Sequence, residues 1–357
     1  MVKTFIIAEA GVNHNGDVNK ALEMVNLAAS AGADAIKFQT FNSESLTTVS
    51  APKAKYQQEN TPQDENQRDM LRRLELPKES YFEITKRCKE KKIKFMSTAF
   101  DSDSLSFLVN DLKVDLLKIP SGEITNGPFI LEHARTGLDI ILSTGMSNIQ
   151  EIQHALSTIA FGYLSKEEPQ KDDFFQAINS SPGRKIINEK VILLHCTSQY
   201  PALNEDINLR AIQTLIDTFN VRVGYSDHSL GTLISSNAIS LGAVLIEKHF
   251  TLDKDFPGPD HKASLDPIEL RDLVTVIRRT EELLGDGVKI PMKSEKENLI
   301  ISRKSIVARS NIKKGDIFSK DNLTFKRPAN GMSPMKFWTL IGRKSKRDYL
   351  RDDLIEI

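Results

Sequence analysis

The chain contains only two cysteines among its 357 residues, Cys88 and Cys196. One falls in a helix-like stretch and the other in a strand-like one, which argues against a disulfide framework and fits a reducing cytoplasm. Neither sign of charge is in excess: Lys+Arg and Asp+Glu both number 48. No global field therefore draws in nucleic acid or an anionic membrane, and any anion site must be built locally. No apolar run approaches the ~20 residues needed to span a bilayer. Residues 1–9 (MVKTFIIAE) turn acidic after a few apolar positions and lack the pattern of a secretory signal. Aromatic residues are few, yet hydrophobic residues make up 39% of the chain, enough for a sizeable core.

What is present is a rhythm. Strand-length apolar runs recur at 5–10, 35–41, 94–100, 116–120, 140–144, 191–197, 223–226 and 244–250, with amphipathic stretches between them. Asp17 is placed to cap a helix carrying Ala21, Leu22, Val25 and Ala28, and Gly32 to end it. This alternation predicts a (β/α)8 barrel over residues 1–284. An open doubly wound sheet is the second choice, because no Gly-rich dinucleotide fingerprint follows the first run. Residues 285–301 read as a linker, and 302–357 as a small β-rich module too short for a large core of its own. That module is expected to dock on the barrel or on a partner subunit.

Side chains alternate between a barrel's interior and its helix layer. Counting by twos sends Ile7 and Glu9 inward, with Lys37 and Gln39, and leaves Ile36 and Phe38 for the helices. Thr98, Lys118, Ser143, Ser198, Ser226, His228, Glu247 and His249 fall on the inner phase or just past the strand ends. Polar groups thus gather at the C-terminal mouth, where barrel enzymes keep their active sites. The long connection 42–76 is expected to be a lid or substrate loop. The charged run 166–173 reads as a solvated excursion, and 86–92 as an exposed helix face. His133 and His154 are expected at the surface.

A lone histidine at a strand end is ordinarily a hydrogen-bonded residue. Two at equivalent positions of consecutive strands, His228 and His249, suit a shared divalent metal with open positions. Lys37 and Lys118, helped by the hydroxyls of Thr98, Ser121, Ser143 and Ser226, form a cradle for a phosphorylated anion. Glu9 is either a proton-transfer group or a structural partner of those lysines. Together these groups suggest bond formation or cleavage between carbons of a carbonyl compound.

The motifs then become specific: IAEAGVNHNG (7–16), AIKFQT (35–40), KIPSGE (118–123), ILSTGM (141–146), HCTSQYP (195–201), GYSDH (224–228), EKHFT (247–251), PGPDH (257–261) and KRPANG (326–331). In this order and over nearly the whole length, the chain resembles the N-acetylneuraminic (sialic) acid synthase family. The resemblance implies a TIM barrel joined to a C-terminal antifreeze-like β-clip (SAF) domain, in a domain-swapped homodimer. It implies condensation of phosphoenolpyruvate with an N-acylated mannosamine-type sugar, giving a nine-carbon 2-keto acid and phosphate. His228 and His249 would hold Mn²⁺, with Mg²⁺ or Co²⁺ as alternatives. Lys37, Thr98, Lys118, Ser121, Ser143 and Ser226 would bind phosphoenolpyruvate. Glu9 and Glu123 would sit near the reacting carbons. Gln39, Ser198, Tyr200 and Asp260 would contact the sugar, and Arg327 would reach it from the partner chain.

Three departures from the family pattern stand out. Ala329 replaces a usual Gly, Ser198 occupies a position that is sometimes Asn, and the stretch 161–190 is longer than usual. The segment with Tyr56 and Gln57 ranks N-acetylneuraminate and N,N'-diacetyllegionaminate as products ahead of pseudaminate. Two further alternatives are a metal-dependent aldolase or epimerase that uses no phosphoenolpyruvate, and a non-enzymatic binding or ice-surface module suggested only by the C-terminal resemblance.

Overall fold

The computed structural model describes residues 3–62 and 64–356. Eight parallel strands close on themselves: β1 (Phe5–Gly11), β2 (Ala35–Thr40), β3 (Lys94–Ala99), β4 (Leu116–Ile119), β5 (Asp139–Ser143), β6 (Val191–Cys196), β7 (Arg222–Asp227) and β8 (Leu245–His249). The cylinder is sealed by β1 pairing with both β2 and β8. At least one helix follows every strand.

Local chemistry sets the helix boundaries. Asp17 accepts hydrogen bonds from the Asn19 and Lys20 N–H groups to open helix Val18–Ala31, and Gly32, at φ 87°, closes it in the left-handed region. Helix Pro267–Leu284 starts on a reciprocal Asp266/Glu269 capping box and buries Leu270, Leu273, Val274 and Ile277.

The strand alternation appears as two distinct apolar layers. Ile7, Ala35, Met96, Ile141, Leu194 and Leu245 fill the barrel interior. Ile6, Ala8, Ile36 and Phe38 join the larger cluster between strands and helices. The interior layer is the floor on which the polar mouth rests.

The connection 42–76 is no open loop. It holds three short helices, Ser43–Leu46, Lys55–Asn60 and Gln67–Leu74, two of them capped by the Asn42 and Asn66 side chains. The 161–190 stretch likewise carries helices Asp173–Asn179 and Ser181–Lys190, and the charged run ahead of them is mostly exposed. The expectation for His133 is overturned, since it is 0% exposed. Its Nδ1 lies 2.8 Å from Phe129 O one turn back in the same helix, and its ring sits edge-on to Phe129. This local partner lets an imidazole enter the apolar layer. His154 is exposed.

The chain divides into two compact units, Met1–Asp286 and Gly287–Ile357. The second contains a short helix, Lys296–Ser302, that begins in the stretch read as linker and ends at the first residue of the module. It then pairs β9 (Ser305–Ala308) antiparallel with β10 (Leu323–Lys326). Ile306, Ile312, Phe318, Leu323, Phe337, Leu340, Tyr349 and Ile355 form its small core. Among the described residues no helix is long and apolar enough to cross a membrane.

Candidate active site

The strand register brings the mouth residues together. Glu9 is the partner of both Lys37 and His249, Thr98 pairs with Gln39 and with Lys118, and Ser226 pairs with Glu247. A cavity of about 510 Å³ opens above this ring. It is lined by Glu9, Glu123, Lys37, Thr98, Lys118, Ser121, Ser143, Ser226, Gln39, Ser198, Tyr200, Asp260, His228 and His249. Fourteen of the fifteen residues singled out from sequence thus meet in one place. The fifteenth, Arg327, is exposed on the second unit.

At the base, four buried charges interlock. Lys37 Nζ lies 2.7 Å from Glu9 Oε2 and 3.6 Å from Glu247 Oε2, and donates to Thr98 Oγ1 at 3.0 Å. Lys118 Nζ donates to Glu247 Oε1 at 3.2 Å, and Ser226 Oγ donates to the same oxygen at 3.0 Å. Glu247 was placed on the inner phase from sequence but given no role. In the structure it is the shared counter-ion of both lysines. Burial drives the two carboxylates up, but Lys118 and Lys37 outweigh it at Glu247, which stays ionised well below the usual range. At Glu9 burial wins over Lys37, with Glu247 adding to the rise, and the carboxyl is held above the usual range. Two carboxyl groups in one site are thereby pushed apart, the arrangement that lets one of them carry a proton near neutral pH.

One wall is a small-residue nook. Ser121 Oγ accepts from Gly145 N–H at 3.0 Å and lies 3.3 Å from Cys196 Sγ. A Cβ on Gly145 would stand 2.3 Å from Ser198 Oγ and 2.8 Å from Ser121 Oγ, so a side chain there would displace both serine hydroxyls. Glu123 Oε2 accepts from Asn126 Nδ2 at 2.7 Å.

Opposite lie the imidazoles, with ring centroids 5.6 Å apart. His228 Nδ1 is 2.7 Å from Thr197 O, which turns Nε2 toward Ser226 Oγ at 3.4 Å. Tyr200 stacks on His228 with ring centroids 4.1 Å apart. His249 Nδ1 is buried without a hydrogen-bond partner, 3.9 Å from Asp260 Oδ2. Burial lowers His228 to about 4 and His249 well below its ordinary value, so both rings are neutral at pH 7, the form that ligates a cation. Burial also raises Asp260, to about 7. Among the described residues no group of three or more His, Cys, Asp or Glu side chains is placed to hold a metal ion together. Two neutral imidazoles, one oriented by a backbone carbonyl and one with an orphaned nitrogen, fit a divalent ion that keeps positions for substrate or water.

The roof comes from the 42–76 connection. Leu46, Tyr56, Gln57, Met70, Leu71 and Leu74 line the cavity, and Tyr56 packs on Tyr200 with ring centroids 5.0 Å apart. The sequence pointed to this through the length of the connection and the family likeness of the segment with Tyr56 and Gln57.

Comparison with known proteins identifies the family. The NeuB family profile matches residues 24–289, and the SAF domain profile matches residues 303–356. The N,N'-diacetyllegionaminic acid synthase of Campylobacter jejuni is 46% identical over 355 residues, covering 99% of both chains. The enzyme of the same name from Legionella pneumophila is 44% identical over 340 residues, covering 95% of this chain and 90% of its own. The crystal structure of N-acetylneuraminic acid (sialic acid) synthetase from Leptospira borgpetersenii, in complex with citrate, superimposes with a TM-score of 0.67 at 37% identity. That match covers 83% of this chain and 90% of the other. The chain belongs to the NeuB family of synthases and carries a C-terminal SAF domain.

Proposed function

We propose that this enzyme condenses phosphoenolpyruvate with a 2,4-diacetamido-trideoxy sugar of the mannosamine type, forming N,N'-diacetyllegionaminic acid and phosphate. One observation carries the reading: Lys37 and Lys118, two neutral imidazoles and the protonation-prone Glu9 face a single cavity. The identity to two synthases of that product supports the choice of sugar.

Lys37 and Lys118, with Thr98, Ser121, Ser143 and Ser226, bind phosphoenolpyruvate, chiefly its phosphate. A close unit-charge contact is worth about 4 kcal/mol at an effective dielectric of 20, so two ammonium groups offset much of the cost of drying a polyanion. Glu247 keeps both lysines charged and in place while the site is empty. The sugar, in its open aldehyde form, lies against Gln39, Ser198, Tyr200 and Asp260. His228 and His249 would hold a divalent cation, with Mn²⁺ the first choice, which would supply Lewis-acid polarisation of the aldehyde. The methylene carbon of phosphoenolpyruvate forms the new bond to that aldehyde carbon. Water adds at C2, and loss of phosphate from C2 leaves the keto acid. Glu9 takes the proton from the attacking water, and Glu123 stands near the same carbons. We further propose a domain-swapped homodimer in which the exposed Arg327 of one protomer hydrogen-bonds the N-acyl group held by the other, a task suited to its planar fork.

The test is mass spectrometry of products from phosphoenolpyruvate and a panel of acceptors. A product from the diacetamido-trideoxy sugar at a kcat/KM well above that from N-acetylmannosamine supports the assignment. The reverse order reassigns the enzyme to N-acetylneuraminate. Turnover of a sugar without phosphoenolpyruvate points to an aldolase or epimerase instead.

A further inference from the structure

Behind the two imidazoles, on the side of the strands away from the cavity, lies an ion pair that the proposed reaction does not touch. Lys248 Nζ stands 2.9 Å from Asp227 Oδ2, and both side chains are 0% exposed. The two residues are register partners across β7 and β8. By strand alternation they point opposite to Ser226, His228, Glu247 and His249, all of which line the cavity. Asp227 Oδ1 accepts from Ser229 N–H at 2.9 Å and from Ser229 Oγ at 2.5 Å, and Oδ2 accepts from Ser235 Oγ at 2.6 Å. The Lys248 ammonium also donates to Ser229 O at 2.7 Å.

Stability alone is a poor reason for this arrangement, because a buried ion pair is often no better than well-packed apolar side chains of the same volume. Geometry is a better one. β7 ends at Asp227, so His228 lies beyond the strand ladder. One ammonium grips the residue before His228 through its carboxylate and the residue after it through its carbonyl. That ammonium belongs to the residue immediately preceding His249. A single group therefore ties the backbones of both imidazoles together.

We propose that Asp227 and Lys248 are positioning residues that fix His228 relative to His249, and so set the affinity of the pair for a divalent cation. The inference rests on the reading of those histidines as cation ligands. Cation–ligand distances hold to within about 0.2 Å, so slight loosening of the 227–229 turn is felt at the site.

The test uses the purified full-length enzyme, stripped with chelator and titrated with Mn²⁺ while the free ion is followed by electron paramagnetic resonance. The charge-neutral pair Asp227→Asn/Lys248→Met is expected to bind Mn²⁺ about 10- to 100-fold more weakly. Metal-free phosphoenolpyruvate affinity, measured by calorimetry, is expected to stay within about twofold, since Lys37, Thr98, Lys118, Ser121 and Ser143 of its cradle lie on or beyond other strands and Ser226 points away from the pair. Unchanged Mn²⁺ affinity overturns the proposal, and so does an equal loss of both affinities, which marks a merely structural pair. Should the double variant fail to fold, Ser235→Ala decides. It removes one hydrogen bond to Asp227 and is expected to weaken Mn²⁺ binding about threefold, while unchanged affinity overturns the proposal. His228→Ala separates the two levels. If that variant binds Mn²⁺ like the parent, the ligand reading itself fails; if it alone loses binding, only the positioning role does.

Discussion

At the scale of single residues, Glu247 tests the electrostatics most sharply. It is the counter-ion common to Lys37 and Lys118. Glu247→Gln leaves two buried ammonium groups with Glu9 as their remaining carboxylate, and breaking such a cluster costs about 3–5 kcal/mol. Urea unfolding reads that loss, and added phosphoenolpyruvate is expected to recover part of it by resupplying negative charge. Asp260 makes a prediction in pH. Its pKa of about 7 lies above that of an unfolded aspartate, so the folded state holds the proton more tightly. Its contribution to stability is therefore full below about pH 4 and is lost as pH rises through 7. Asp260→Asn in the metal-free enzyme should gain on the parent by on the order of 4 kcal/mol between pH 4 and pH 8. A pH-independent difference in unfolding free energy contradicts this. Gly145→Ala drives a methyl into Ser198, Ser121 and Cys196. A displacement of this kind can cost about 100-fold, and the loss is expected mainly in kcat/KM for phosphoenolpyruvate. Sequence counting found the two lysines by the inward phase of their strands, and the two histidines because they sit at or just past strand ends. It gave Glu247 no role, because which cation a buried carboxylate serves depends on side-chain reach across the barrel.

At the scale of elements, the eight strands were legible from apolar runs of strand length, and the inner phase from simple alternation. The 42–76 connection was not. Its helices are four to eight residues long, start on Asn side chains or none, and lack a sustained apolar stripe. Lys53 holds this connection from beneath: its Nζ donates to Thr61 Oγ1 at 3.0 Å and to the Pro62 carbonyl, and lies 3.8 Å from Glu65 Oε1. The helix between these anchors carries Tyr56 and Gln57 into the cavity. Lys53→Met is therefore expected to raise KM for the acceptor sugar about 10-fold, the effect of losing one to two buried hydrogen bonds, while KM for phosphoenolpyruvate moves little. Steady-state kinetics with each substrate varied in turn checks it. His133 shows the opposite failure of reading, since a polar residue in a helical stretch looked exposed until its bond to Phe129 O was visible.

At the scale of the whole molecule, closure of the barrel turns distant motifs into neighbours. Residue 9 meets residue 249 because β1 pairs with β8. No stretch of sequence contains that pairing; it follows only from counting eight strands and joining the ends. The central claim is that anion cradle and imidazole pair act on one reaction in one cavity. Phosphate release from phosphoenolpyruvate, measured with and without acceptor sugar and before and after chelation, tests it most directly. The account predicts release only when sugar and divalent cation are both present, abolished in His228→Ala at any cation concentration. Full release from the chelated enzyme, or from His228→Ala, would contradict it.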